Sequence, residues 1–88
     1  MKIETTAVFN KQPRSITDQS LLLKISAAVK DIMNAQGPSF VKGIKKIKGA
    51  KYAYRIKIGT YRLGFFVEED AALLTVIMPR KDIYKKFP

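Results

Sequence analysis

The chain has 88 residues, with 17 Lys and Arg against 7 Asp and Glu, a net charge of +10 and a pI near 10.0. That length suits one domain, residues 1–88, and a hydrophobic content of 47% excludes a disordered polyelectrolyte. Cysteine and histidine are absent, which excludes a disulfide framework, thiol chemistry and an ordinary zinc site, and no metal or cofactor is expected.

Lys2 to Phe9 alternates, with Ile3, Thr5, Ala7 and Phe9 on one side and Lys2, Glu4, Thr6 and Val8 on the other, and predicts an opening strand. Pro13 suits a first helical turn but not a helix interior, so 10–16 reads as one short helical turn or a loop. Ser15 or Thr17 can cap the next segment, and Asp18 sits where a negative charge favours a helix N-terminus. Leu22, Ile25, Val29, Ile32 and Met33 recur at helical spacing, widened by Leu21 and Ala28, and predict an amphipathic helix over roughly 17–35 that stops at Gly37-Pro38. Such a stripe is expected to cover a sheet. Residues 39–51 mix Phe40, Val41, Ile44 and Ile47 with five lysines and two glycines, and read as a connection or a short helical piece that lays cations along one edge of the domain.

The strongest pattern follows. Tyr54, Ile56 and Ile58 alternate with Arg55 and Lys57; after Gly59-Thr60, Tyr61, Leu63, Phe65 and Val67 alternate with Arg62, Gly64 and Phe66. This is a hairpin, and glycine first in a two-residue loop suits a type II′ turn. Lys57 then lies opposite Arg62, and cross-strand neighbours are about 5 Å apart at Cβ, so Arg55, Lys57 and Arg62 share one sheet face. Like charges facing each other cost stability, which points to a polyanion or an acidic partner for that face. Glu68-Glu69-Asp70 forms an acidic turn, Leu73–Met78 a buried strand ended by Pro79, and Arg80–Phe87 a tail that runs to Pro88 with little room for a further helix. No apolar run approaches the roughly 18 residues of a membrane span, and no signal-peptide pattern opens the chain, so a cytoplasmic protein without a membrane partner is expected.

Tyr54-Arg-Ile-Lys-Ile-Gly-Thr-Tyr-Arg-Leu, the acidic turn, the apolar strand, Arg80-Lys-Asp-Ile-Tyr84 and Ile47-Lys-Gly49 together resemble the RelE/ParE superfamily of toxin–antitoxin toxins over nearly the whole chain. The resemblance implies a small α+β fold: strand, helices, then three strands, in a twisted, mainly antiparallel sheet with helices packed on one face. It implies an endoribonuclease that cuts mRNA in the ribosomal A site, with the ribosome and mRNA as partners and a cognate antitoxin that silences it in a hetero-oligomer. Carried over by position, Lys57 is similar to the proposed general base, Arg62 to the arginine that stabilises the transition state, Arg80 to the one at the leaving group, and Tyr84 to the tyrosine that orients substrate. Arg55 is similar to a basic residue before the base, and Lys45, Lys46, Lys48 and Lys51 would contact RNA phosphates. Tyr-Arg and Arg-x-Asp-Ile-Tyr also resemble the branch that inhibits DNA gyrase without enzymatic activity, and a non-toxic nucleic-acid-binding member is the third reading.

The chemistry is workable without histidine. A lysine with the ordinary pKa of about 10.4 is mostly protonated at neutral pH, but cations crowded beside a lysine disfavour its charged form. A guanidinium can hold phosphate oxygens bidentately, and preorganised charge is often the largest catalytic term. Each residue also has a plainer reading: solvated strand residues for Arg55 and Lys57, an ion pair with Glu68 or Glu69 for Arg62, an antitoxin carboxylate for Arg80, and packing for Tyr61, Tyr84 and Phe87.

Overall fold

A computed structural model describes residues Met1–Pro88, and the opening strand ends earlier than the alternation predicts. Strand β1 covers Lys2–Thr5, and Ala7–Lys11 forms a short helix, α1. Thr6 makes the break. Its hydroxyl accepts from the Phe9 N–H at 3.1 Å, as a helix cap does, and donates to the Thr75 carbonyl at 2.7 Å. The helical turn carries Phe9 into the core, so a local cap and burial together override the period-two pattern. A 3₁₀ turn over Gln12–Ser15 then accommodates Pro13 at its start.

Helix α2, Gln19–Asn34, is the predicted amphipathic helix. Asp18 caps it, accepting from the N–H groups of Ser20 at 2.9 Å and Leu21 at 3.3 Å. The buried stripe is centred on Leu21, Ile25 and Ile32, with Leu22, Ala28 and Val29 packed beside them; Met33 lies at its rim, half exposed.

The strands β2 (Lys45–Lys46), β3 (Ala53–Ile58), β4 (Tyr61–Glu68) and β5 (Ala71–Pro79) join β1 in one sheet of order β1-β5-β4-β3-β2. β1 runs parallel to β5 and the other three pairings are antiparallel, so the sheet is mainly antiparallel as expected. The lysine-rich connection opens on a short helical piece, a 3₁₀ turn over Pro38–Phe40, and then adds the two-residue strand β2, which its composition does not suggest. The hairpin register pairs Ile58 with Tyr61 and Lys57 with Arg62, and Gly59 at φ 60° is the left-handed residue that its turn requires. Between β4 and β5, Gly64 faces Val76 while Phe65 faces Leu74, which leaves Thr75 as an extra residue. That bulge shifts the alternation: Ala72, Leu74 and Ile77 join the core on one face, Val76 a separate cluster on the other.

α2 covers the inner face, where 14 buried residues form one cluster with Phe65, Leu63, Leu74 and Ile32 fully enclosed. The tail is the main departure from expectation. Arg80–Lys86 forms a helix, α3, and it packs on the outer face, opposite α2. Ile83 and Phe87 stand one turn apart and bury against Ala53 and Val76, while the Arg80 N–H donates to the Thr60 carbonyl at 3.1 Å. The helices therefore divide between both faces of the sheet. No helix is long and apolar enough to cross a membrane.

Candidate active site

The outer face holds a cleft of about 400 Å³ lined by Gly43, Lys45, Arg55, Lys57, Arg62, Arg80 and Tyr84, with no carboxylate among them. Its floor follows from the sheet register. Lys45 of β2 pairs with Arg55 of β3, Arg55 with Gly64 of β4, and Lys57 with Arg62, so neighbouring strands present their cations to the same side. Pro79 hands the chain from β5 directly to α3, and Arg80 and Tyr84, four residues apart, project together from that helix over the floor.

Tyr84 is the hub of the cluster. The Arg55 guanidinium lies 4.5 Å from the centre of its ring and that of Arg80 5.8 Å, both within cation–π range. The phenol remains about half exposed. Hydrogen bonding from the Arg80 guanidinium to the phenolate lowers the Tyr84 pKa below the ordinary tyrosine value, and the charges of Arg55 and Arg62 act in the same direction. Arg62 is held by the turn that precedes it: its Nη1 donates to the Gly59 carbonyl at 3.1 Å and to that of Tyr61 at 2.9 Å. A guanidinium carries five N–H donors, so the rest of the fork is free for phosphate oxygens. These carbonyls take the place of the Glu68 or Glu69 partner considered for Arg62.

Five residues expected from sequence as catalytic or cationic neighbours, Arg55, Lys57, Arg62, Arg80 and Tyr84, come together, and Lys45 joins them. Lys46, Lys48 and Lys51 do not. Successive strand residues point to opposite faces, so Lys46 turns away from its neighbour Lys45; its Nζ lies 5.1 Å from the Tyr54 ring centre and donates to the Ala50 carbonyl at 3.2 Å. Lys48 and Lys51 line a separate, broad hollow, and Lys51 stacks 5.4 Å over Tyr52. Tyr61 packs against the inner core and Phe87 against the outer cluster, which agrees with the packing reading of both.

Gly43 is the wall residue that sequence reasoning missed. Its φ of 73° favours glycine, and a side chain there would meet nothing within 4 Å, so its place is set by backbone conformation. Asp31 on α2 steadies this wall, its Oδ2 accepting from the Lys42 N–H at 3.1 Å. The available signal was a glycine between Lys42 and Ile44 in a lysine-rich stretch, which marks a turn but not a cleft.

No family model matches the chain. It is 36% identical to Toxin RelE3 of Methanocaldococcus jannaschii over 66 residues, which span 74% of this chain and 75% of that protein. The fold superposes with a TM-score of 0.79 and 28% identity on the crystal structure of the RelB–RelE antitoxin–toxin complex from Methanococcus jannaschii, covering 97% of this chain and 99% of the other. An archaeal RelE–RelB complex from Pyrococcus horikoshii gives 0.73 over 90% and 93% of the two chains, at an identity of 16% that speaks for the fold alone. With three quarters of a curated toxin matched at this level, and the same fold along nearly its full length, the chain belongs to the RelE family of type II toxin–antitoxin toxins.

Proposed function

We propose that this toxin inhibits translation by cutting ribosome-bound mRNA, through attack of a ribose 2′-hydroxyl on the adjacent phosphate, and that a cognate antitoxin holds it silent. The observation that carries the reading is the convergence of Lys57, Arg62, Arg80 and Tyr84, with Lys45 and Arg55, in one open cleft lined by no acid. Such a cleft attracts a phosphodiester and repels nothing in it.

In this reading Lys57 in its neutral form takes the 2′-hydroxyl proton, the 2′-oxygen bonds to phosphorus, and the bond to the 5′-oxygen breaks. The departing 5′-oxygen takes a proton from solvent water, so the products are a 2′,3′-cyclic phosphate and a 5′-hydroxyl. Arg62 faces the charge that builds on the phosphoryl oxygens, a stabilisation that preorganised donors supply without reorganising. Arg80 holds the departing oxygen; a guanidinium stays protonated throughout, so its contribution is charge. Tyr84 offers an exposed ring for a nucleobase to stack on, and Lys45 and Arg55 hold flanking phosphates. Ribosomal positioning of the strand supplies the orientation that so small a chain does not build for itself. The excess of 17 cationic over 7 anionic residues suits an acidic antitoxin as much as RNA.

Induced expression of the wild type, Lys57→Ala and Arg62→Ala, with translation followed by label incorporation and mRNA cuts mapped by primer extension, tests the reading. The wild type is expected to arrest translation and leave discrete cuts, and both variants to do neither. Equal arrest by all three overturns the assignment; a DNA-damage response with translation intact points to the gyrase-inhibiting branch.

A further inference from the structure

The C-terminal helix carries two of the four proposed catalytic groups, yet has little to hold it. α3 spans seven residues, no side chain caps its N-terminus, and an isolated helix of that length does not persist in water. Its position must come from the surface beneath. On its outer face β4 presents Arg62, Gly64 and Phe66 in succession, so charge, gap and aromatic ring follow one another along the strand. The Phe87 ring fills the gap. A Cβ built on Gly64 would lie 2.7 Å, 2.8 Å and 2.9 Å from three atoms of that ring, closer than any side chain tolerates. Gly64 is not in the left-handed region, so its backbone does not call for glycine, and a glycine inside a central strand weakens it. The glycine is explained by the ring. Phe66 closes the seat from the other side, its centroid 5.3 Å from that of Phe87 at a tilt of 60°. Gly64 is also the β4 partner of Arg55, the residue whose guanidinium lies under Tyr84.

We propose that Gly64 and Phe87 form a seat that sets the height and rotation of α3 on the sheet, and that they are positioning residues for Arg80 and Tyr84 in RNA cleavage. The inference rests on the nuclease reading for its functional part. The seat itself is a matter of geometry: Ile83 fixes the middle of the helix, nearly fully buried, and Phe87 fixes its end, so together they define how the opposite edge, with Arg80 and Tyr84, leans over Arg55 and Arg62. Raising the ring by the width of a methyl group tilts that edge away from the cleft floor.

A double-mutant cycle tests the proposal, with Gly64→Ala, Phe87→Ala and the pair, each also made with Tyr84→Phe so that the Tyr84 titration can be read by ultraviolet difference. Gly64→Ala is expected to lower single-turnover ribosome-dependent cleavage tenfold or more when Phe87 is present, and by less than twofold when Phe87 is already Ala. In the same variant the Tyr84 phenol is expected to titrate at higher pH, because it has moved off Arg55 and Arg62. The same loss in both backgrounds, or unchanged cleavage and titration in folded Gly64→Ala, overturns the proposal. Where Gly64→Ala does not fold, Phe87→Ala decides: it must lose cleavage at least tenfold and raise the Tyr84 titration while staying folded, and wild-type behaviour overturns the seat. A wild type that cuts no RNA, but whose Tyr84 titration follows this pattern, removes the nuclease reading and leaves the seat standing.

Discussion

Ile56, Ile58, Leu63, Phe65 and Val67, the residues of β3 and β4 that face α2, are all buried in one apolar cluster. Arg55, Lys57 and Arg62, which alternate with them along the same strands, line an open cleft without a single acid. Inside, residue type is set by volume, since close-packed interiors respond to each methylene. Outside, it is set by charge, and the crowding of like charges opposes folding. The contrast shows how a chain this small carries a strained, cationic site: one face supplies the stability that the other spends. α3 belongs to both regimes, with Ile83 and Phe87 in an apolar cluster and Arg80 and Tyr84 at the cleft.

The same kind of truncation should therefore have opposite consequences on the two faces. Phe65→Ala removes a fully buried ring between α2 and the sheet and should cost about 3–5 kcal/mol, a large share of the stability of a domain this size. Urea unfolding measures it, and a loss below about 1 kcal/mol would mean that the inner face is not the source of stability. On the outer face, Arg80→Ala should lower cleavage by about 10²–10³, as for removal of one preorganised charge donor. It should shift stability by no more than about 0.5 kcal/mol, because the backbone bond to Thr60 survives the change. A loss of stability comparable to the loss of rate would break the division between the faces.

A smaller effect separates the lysines. Lys45 lines the cleft, whereas Lys48 lies on the broad hollow beyond it. For binding of a short single-stranded RNA by fluorescence anisotropy, Lys45→Ala should reduce the slope of log affinity against log salt by about 0.7, the value of one released counterion contact, and Lys48→Ala should leave it unchanged. Equal slopes for the two variants would make the whole 42–51 edge, and not the cleft, the RNA surface.

The hairpin was legible because its two-residue turn fixes register, and register fixes which side chains share a face; that alone placed Arg55, Lys57 and Arg62 together. α2 was legible from its stripe and from the favourable charge of Asp18, but the cap is Asp18 itself and not Ser15 or Thr17, and the stripe is centred nearer Leu21 and Ile25 than Met33. The division of helices between the faces was not. α3 is too short for periodicity to announce, and its anchors, Ile83 and Phe87, find their partners only in the folded sheet. The Thr75 bulge was equally silent, since Leu73–Met78 is apolar on both sides of it and Thr6, 69 residues away, supplies the hydroxyl that holds the Thr75 carbonyl. The lysines of 42–51 defeated composition for a simpler reason: adjacent residues in a strand face opposite ways, so a run of cations cannot line one surface.

The smallest effect concerns the cover of the inner face, and acid reveals it. Hydrogen bonds from the Ser20 hydroxyl, first, and from the Leu21 and Ser20 N–H groups lower the Asp18 pKa below its usual 3.8. A carboxylate depressed in the folded protein contributes stability that is complete above the unfolded value and is lost as pH falls through the folded one. Tyr84, also lowered, obeys the same rule, but its contribution is complete only above the ordinary tyrosine value of 10.0 and is lost as pH falls through the lowered one, on the alkaline side of the range. Acid should therefore weaken α2 through Asp18 and leave α3 untouched through Tyr84. Asp18→Asn keeps a good capping oxygen but does not titrate, so unfolding midpoints taken between about pH 5 and pH 2 should fall less steeply for the variant than for the wild type. Cleavage at neutral pH should be the same for both. Parallel curves for the two proteins would mean that packing alone, and not the charged cap, holds α2 over the sheet.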